Sequence, residues 1–201
     1  DLEDDPDYVI IGLNKRNPQI HDPYRVNVNT GEMEMIAENP GNISGWVTDH
    51  NGKLRMATTS DGVNTSLLYR KTESDEFKAI LTTDFKVAVS PLFFTFDNKN
   101  IYVASNRGRD KTAIFEFDID KVKERELIFE HKEVDVSGLM YSRKRKVLTG
   151  VNYTVAKREM VFFDDWRENI QKKLESKLPG YEVGITSFSK DETKAIVITY
   201  S

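Results

Sequence analysis

Apolar and aromatic residues fall in short runs separated by clusters of Asp, Asn, Lys, Gly and Ser, and the runs recur as a set. The stretch FTFDNKNIYVASNRGRDKTAIFEFDID, residues 94–120, shows the unit: an aromatic strand, a polar turn, an Ile-Tyr-Val strand, an Arg-rich loop and a second aromatic strand. Short runs rich in β-branched and aromatic residues, bounded by turn formers, predict strands. Four leads open the copies: Ile43-Ser44-Gly45, Val89-Ser90-Pro91, Val136-Ser137-Gly138 and Val183-Gly184-Ile185, in steps of 46, 47 and 47 residues. Polar turns follow at 49–53, 97–100, 143–146 and 190–193, then second strands at 54–58, 101–105, 147–151 and 195–200. Third strands are expected at 24–28, 66–70, 113–118 and 159–164, and fourth strands at 33–37, 77–81 and 126–129.

A four-strand antiparallel unit recurring at this period is the mark of a β-propeller blade. A sandwich would also give short strands, but without a fixed recurrence of one four-part unit. The pattern predicts an all-β partial propeller of about four four-stranded blades, a single fragment over 1–201 with blade portions near 8–39, 43–84, 87–130, 134–178 and 183–201. The first copy lacks its inner strand and the last its outer ones, so a section of a larger ring is expected rather than a small closed one. One fourth strand is replaced. Asp165 as cap, Glu168 three residues on, and Ile170, Leu174 and Leu178 at intervals of four, closed by Pro179-Gly180, predict a rim helix near 166–178.

Composition narrows the partners. With 201 residues, 38% of them hydrophobic, the chain can bury a core. Its 29 basic and 33 acidic residues give a net charge of −4, without the cationic excess that binding a phosphate backbone demands, so no nucleic-acid partner is expected. The longest apolar runs, such as 8–12 and 160–163, fall far short of the roughly 20 residues that span a bilayer, so no membrane partner is expected either. The absence of cysteine removes disulfides, thiolate metal sites and a cysteine nucleophile, and leaves the compartment open. Bare blade edges raise the prospect of an oligomer.

Candidate chemistry is sparse. No Gly-x-Ser-x-Gly elbow is present; the nearest string, 41–45, has the wrong spacing, and its Ser44 recurs as Ser90 and Ser137 within the repeat. His21, His50 and His131 lie far apart, in no metal-binding spacing, and are read as turn or strand-end residues. Asp49, Asp97 and Asp191 are read as turn formers that bond their own backbone. The acidic entry Asp4-Asp5-Pro6-Asp7 lacks a calcium-loop pattern, and Arg143-Lys144-Arg145-Lys146 is read as a solvated hairpin tip. Asn42, Asn64 and Asn152 head glycosylation triplets of a kind that arises by chance.

Topology singles out one face. Loops joining second to third strands, and those joining successive blades, emerge together, here at 14–22, 60–64, 106–111 and 153–157. Ligand contacts belong there. Arg107, Arg109 and Asp110 are the substrate-contact candidates, against the plainer reading of exposed charges or a local ion pair with Asp110. No catalytic residue, metal site or cofactor site is assigned.

The strings YVIIGLNKRNPQIHDPYRVNVNTGEMEMIAENPGNISGW, LFFTFDNKNIYVASNRGRDKTAIFEFD and YSRKRKVLTGVNYTVAKREMVFFDD resemble the N-terminal propeller of bacterial serine peptidases of the prolyl oligopeptidase family, in its dipeptidyl aminopeptidase and acylaminoacyl peptidase-like branch. Phe188-Ser189-x-Asp191 before an apolar strand is similar to TolB-like repeats as well. The resemblance implies a propeller that caps a C-terminal α/β-hydrolase domain, admits and orients peptide substrate, and leaves the Ser-Asp-His triad to that partner domain. No position of 1–201 matches the triad domain, so the chain alone is expected to be no enzyme and to need no cofactor. The alternative is a TolB-like scaffold that binds proteins. A lyase or glycosidase would need paired carboxylates or histidines converging at the axis, and the inner strands at 43–47, 89–93 and 136–140 supply no acidic residue.

Overall fold

In each of the last four sheets the hairpin between the first and second strands closes on a side-chain oxygen placed at the first position of its turn. Asp49 Oδ1 accepts the amides of Asn51 and Lys53 at 3.0 and 2.9 Å, and Thr95 Oγ1 accepts that of Asn100 at 3.0 Å. Ser142 Oγ accepts the Arg145 amide at 2.9 Å and Ser189 Oγ that of Lys194 at 3.0 Å. A short side-chain acceptor thus substitutes for backbone and fixes the reversal. In the same turns Gly52, Asn98, Lys146 and Glu192 take φ of 70°, 58°, 53° and 56°. This left-handed conformation is what a tight antiparallel reversal requires.

The computed structural model describes Leu2 and residues 5–201. Five antiparallel sheets follow one another along the chain. The first holds β1 (Tyr8–Asn17), β2 (Ile20–Asn27) and β3 (Met33–Met35); the second β4 (Ile43–Thr48), β5 (Leu54–Ser60), β6 (Asn64–Tyr69) and β7 (Lys78–Asp84). The third holds β8 (Val89–Phe94), β9 (Ile101–Ser105), β10 (Ala113–Asp118) and β11 (Lys123–Phe129). β12 (Val136–Ser142), β13 (Val147–Thr154) and β14 (Arg158–Phe162) form the fourth, followed by α1 (Asp165–Lys177), and β15 (Glu182–Phe188) and β16 (Ala195–Tyr200) the fifth. Within each sheet neighbours in sequence are neighbours in space, so all connections are hairpins. The inner strands β4, β8, β12 and β15 each carry a register irregularity against the following strand. A bulge at a repeated position strengthens twist at that place in each sheet. These are the sheets of a partial β-propeller.

The chain divides into two compact units, one reaching to Glu133 and the other Val134–Ser201. In the first, Met56 and Leu67 of the second sheet pack with Val89, Phe94, Ile101, Val103, Phe115 and Phe117 of the third. Full burial of such a side chain contributes about 1.5–3 kcal/mol. Polar contacts join the first sheet to the second and the second to the third. Arg25 of β2 donates to the carbonyl of Gly52, in the second sheet's hairpin, at 3.2 Å and to Glu73 at 2.9 Å; Glu73 accepts the Leu54 amide at 3.0 Å. Arg55 of β5 donates to the carbonyl of Asn98, in the third sheet's hairpin, at 3.0 Å, and lies 5.0 Å from the Phe94 ring centroid.

The second unit repeats the device. Arg145, in the hairpin of the fourth sheet, forks onto Asp164, reaches Glu192 of the fifth sheet's hairpin at 3.3 Å and lies 4.6 Å over the Trp166 ring. The expected solvated tip at 143–146 is therefore corrected at Arg145, and Lys144 Nζ bonds the Asp191 carbonyl at 3.0 Å. Two further expectations change. The helix is capped by Asp164, whose extended backbone (φ −136°, ψ 116°) lets its carboxylate accept the Arg167 amide; Asp165 is the first helical residue. The expected loop at 14–22 shrinks to a turn between Asn17 and Ile20, because Arg16 forks onto Asp22 at 2.9 and 3.0 Å and draws the strands together.

Hydrogen bonds from Arg145 hold the Asp164 carboxyl below its usual range, against the opposing effect of burial. A carboxylate with a lowered folded pKa stabilises above its unfolded value, near 4, and that contribution is lost as pH falls through the folded value. Asn caps helices as well as Asp does, so Asp164→Asn isolates the charge. It is expected to cost about 1–2 kcal/mol at pH 7 and progressively less as pH falls below about 4, in urea unfolding followed by tryptophan fluorescence; a loss that does not shrink on acidification would show that the charge is immaterial.

Candidate functional site

The β9–β10 loop is built from the strand ends inward. Asn106 fixes its base: it accepts the Ala88 amide at 2.7 Å and donates to the Lys86 carbonyl at 3.1 Å, tying the loop to the segment between β7 and β8. Gly108, with φ 71°, makes the turn, and the Arg109 amide donates to the Asn106 carbonyl at 3.0 Å. Two of the three expected contact residues therefore part company.

Arg109 turns inward. Its guanidinium forks onto Glu124 of β11 at 3.1 and 2.8 Å, touches the Ser105 carbonyl at 3.3 Å, and stacks 4.1 Å over the Phe115 ring. Ser105 Oγ donates to Glu124 at 2.6 Å and accepts the Arg107 amide at 3.1 Å. Burial pushes the Glu124 carboxyl up, but the hydrogen bonds from Arg109 and Ser105 outweigh it and leave it lowered; the bond to Glu124 raises Arg109. The partner of Arg109 is thus Glu124, not Asp110. Asp110 is 88% exposed at its side chain, beside Lys111 at 3.2 Å. Arg107 is exposed; its amide is held by the Ser105 hydroxyl, and its charge helps to lower the Glu124 carboxyl.

Apolar surface adjoins these charges. Asn64 pairs with Asp84 across β6 and β7, which sets Val63 and Phe85 opposite each other at the loop end of the second sheet. They are 59% and 77% exposed, and the Lys86 ammonium lies 5.7 Å over the Phe85 ring. The Lys86 carbonyl is in turn bonded by Asn106, which ties this apolar residue pair to the base of the β9–β10 loop. Sequence reasoning missed Glu124, whose place in the charged run Lys123-Glu124-Arg125-Glu126 disguised it, and the exposed Phe85.

The remaining candidates have local roles. His50 bridges the second and third sheets, its amide donating to Asn98 at 2.9 Å and its Nε2 lying 2.9 Å from the Phe94 carbonyl. Asp61 gathers the amides of Val63 and Asn64 and is lowered to about 2 by them; Asp191, bonded by Ser189 and Thr193, is likewise lowered to about 2. Asp4 lies outside the described residues; Asp7 accepts from Asn29 at 2.8 Å. Among the described residues no three His, Cys, Asp or Glu side chains gather as metal ligands would, and no helix is long and apolar enough to cross a membrane.

No protein-family model matches the chain. It is 28% identical over 204 aligned positions to dipeptidyl aminopeptidase BIII of Pseudoxanthomonas mexicana, covering 98% of this chain and 28% of that protein. It is 24% identical to dipeptidyl peptidase family member 6 of Caenorhabditis elegans, covering 96% of this chain and 27% of that one. The chain thus spans little more than a quarter of either relative's length. Among solved structures, TolB from Acinetobacter baumannii superposes with a TM-score of 0.56 at 16% identity, over 78% of this chain and 37% of that one. The sheets are those of a propeller. The two sequence matches, over nearly the whole chain, support a propeller domain similar to part of the dipeptidyl peptidases.

The geometry separates the two arginines experimentally. Arg109→Ala removes a half-buried fork and leaves Glu124 without its main partner, so a loss of about 1–3 kcal/mol is expected. Arg107→Ala is expected to stay within about 0.5 kcal/mol of the parent chain. Urea denaturation of the two variants checks the contrast, and equal losses would refute it.

Proposed function

We propose that this chain is the non-catalytic propeller of a prolyl oligopeptidase family serine peptidase, gating and orienting peptide substrate for a C-terminal α/β-hydrolase domain that supplies the Ser-Asp-His triad. The observation that carries this reading is the match of nearly the whole chain to about a quarter of two dipeptidyl peptidases. The rest of each relative has room for the chemistry that 1–201 lacks: there is no nucleophile elbow here. Selection by the propeller is then steric and electrostatic.

Within that reading Arg107 and Asp110 touch substrate directly. Arg107, an exposed residue, offers a guanidinium able to meet a peptide carbonyl or carboxylate. Arg109, already committed to Glu124, positions the loop that carries Arg107. Phe85 and Val63 give an apolar surface beside these charges, suited to the side chains of a passing peptide. The likeness to TolB concerns the fold and supports no separate function.

Two measurements test the proposal. Purified 1–201 is expected to release no chromophore from dipeptidyl p-nitroanilides, whereas serine-reagent-sensitive turnover by it would overturn the division of labour. In the longer protein that carries this chain, Arg107→Ala is expected to raise KM for peptides several-fold with kcat little changed. An unaltered KM would remove Arg107 from the substrate path.

A further inference from the structure

Asn51-Gly52 stands at the tip of the β4–β5 hairpin, and no other asparagine of the chain is followed by glycine. The pair suits a tight reversal. It also carries a reaction. Glycine has no Cβ to crowd its amide nitrogen, so that nitrogen can attack the side-chain carbonyl of the preceding asparagine. A bond forms from the Gly52 nitrogen to Asn51 Cγ, the Cγ–Nδ2 bond breaks, and ammonia leaves with the proton of the Gly52 amide. Water then opens the cyclic imide on one side or the other, leaving residue 51 as aspartate or as isoaspartate. Water enters, ammonia departs, and nothing is oxidised or reduced.

The fold exposes the electrophile and withholds the nucleophile. Asn51 is exposed and Gly52 is buried. The Gly52 amide donates to the Asp49 carbonyl at 3.0 Å, while the amides on either side of it, from Asn51 and Lys53, both bond Asp49 Oδ1, at 3.0 and 2.9 Å. The Gly52 carbonyl is held by Arg25 of the first sheet at 3.2 Å, and Arg25 is itself held by Glu73 at 2.9 Å. With φ at 70°, Gly52 is fixed in the left-handed turn. Bringing its nitrogen onto Asn51 Cγ therefore requires the turn to open and Arg25 to let go. The chain's Asp-Gly pair, Asp61-Gly62, differs. There the same ring closure needs a neutral carboxyl, and Asp61 is lowered to about 2 by the amides of Asn64 and Val63.

We propose that Asn51 is a deamidation site gated by the joint between the first and second sheets, closed while Arg25 holds Gly52 and reactive when the hairpin opens. Local opening costs less than unfolding the chain, so the site samples this joint rather than the whole fold. The change runs one way. Either product puts a carboxylate two residues from Asp49, and isoaspartate adds a methylene to the backbone of the turn, which displaces the carbonyl that Arg25 holds. A joint that has opened for long enough is thereafter both weakened and marked. This inference is independent of the peptidase reading, since it rests on one hairpin and its neighbour.

Peptide mapping by mass spectrometry tests it, after incubation of 1–201 in mildly alkaline buffer with and without urea. Residue 51 is expected to gain one mass unit, about tenfold or more slowly in buffer than in urea; this comparison needs no variant. Arg25→Ala, checked by circular dichroism to be folded, is expected to raise the rate in buffer several-fold and to leave the rate in urea unchanged, because the covalent chemistry is the same. Arg109→Ala, whose fork lies wholly within the third sheet, should leave both rates alone. No conversion of residue 51 in urea, equal rates in buffer and urea, a folded Arg25→Ala variant no faster than the parent chain, or equal acceleration by Arg25→Ala and Arg109→Ala would each overturn the proposal.

Discussion

Sheets of two to four short strands are marginal by themselves, and within each compact unit an arginine reaches from one sheet to the hairpin of its successor. Arg25 meets Gly52, Arg55 meets Asn98, and Arg145 meets Glu192. In each case the target is the residue with left-handed backbone, or its side chain. The two features need each other. A left-handed turn aims a carbonyl or a carboxylate sideways out of its own sheet, and a planar cation with several donors can take that group while stacking on an aromatic ring. Apolar packing between the second and third sheets supplies the bulk of the cohesion, and the arginines fix how far one sheet slides along another.

The candidate site uses the same chemistry to a different end. Arg109 repeats the pattern of fork and ring, on Glu124 and Phe115, but both partners belong to its own sheet. Its effect is to stiffen one loop, which leaves Arg107 displayed on a backbone that cannot easily retreat. A flexible display would lose more entropy on meeting a ligand. Candidate site and scaffold thus share a device, and are told apart by where the second charge resides.

The period of 46 to 47 residues was enough to read the hairpins, since turn formers and β-branched runs recur with little variation. Strand ends were less legible. Asp22 looks like a loop residue until Arg16 is seen to neutralise it in a buried fork. The helix start was displaced by one residue because Asp164 and Asp165 are equivalent as letters, and Arg145 selects between them. Its stripe of Ile170, Leu174 and Leu178 is only half-buried; the deepest side chains are Arg167 and Gln171, the latter donating to the Val183 carbonyl at 2.7 Å. Long-range polar pairs such as Arg109 with Glu124 leave no periodic trace, so they stay invisible until the chain is folded.

The helix in the fourth repeat has a bearing on how the chain reaches its native arrangement. Similar tandem units risk a frame error, in which a segment from one docks where its homologue belongs. Strands are interchangeable in this respect, because any of them can join the same ladder. α1 satisfies its backbone internally and is anchored through Asp164 and Gln171, groups without equivalents elsewhere in the repeat. Its anchors thus mark one repeat as different from its neighbours, as a bookmark does in a run of similar pages.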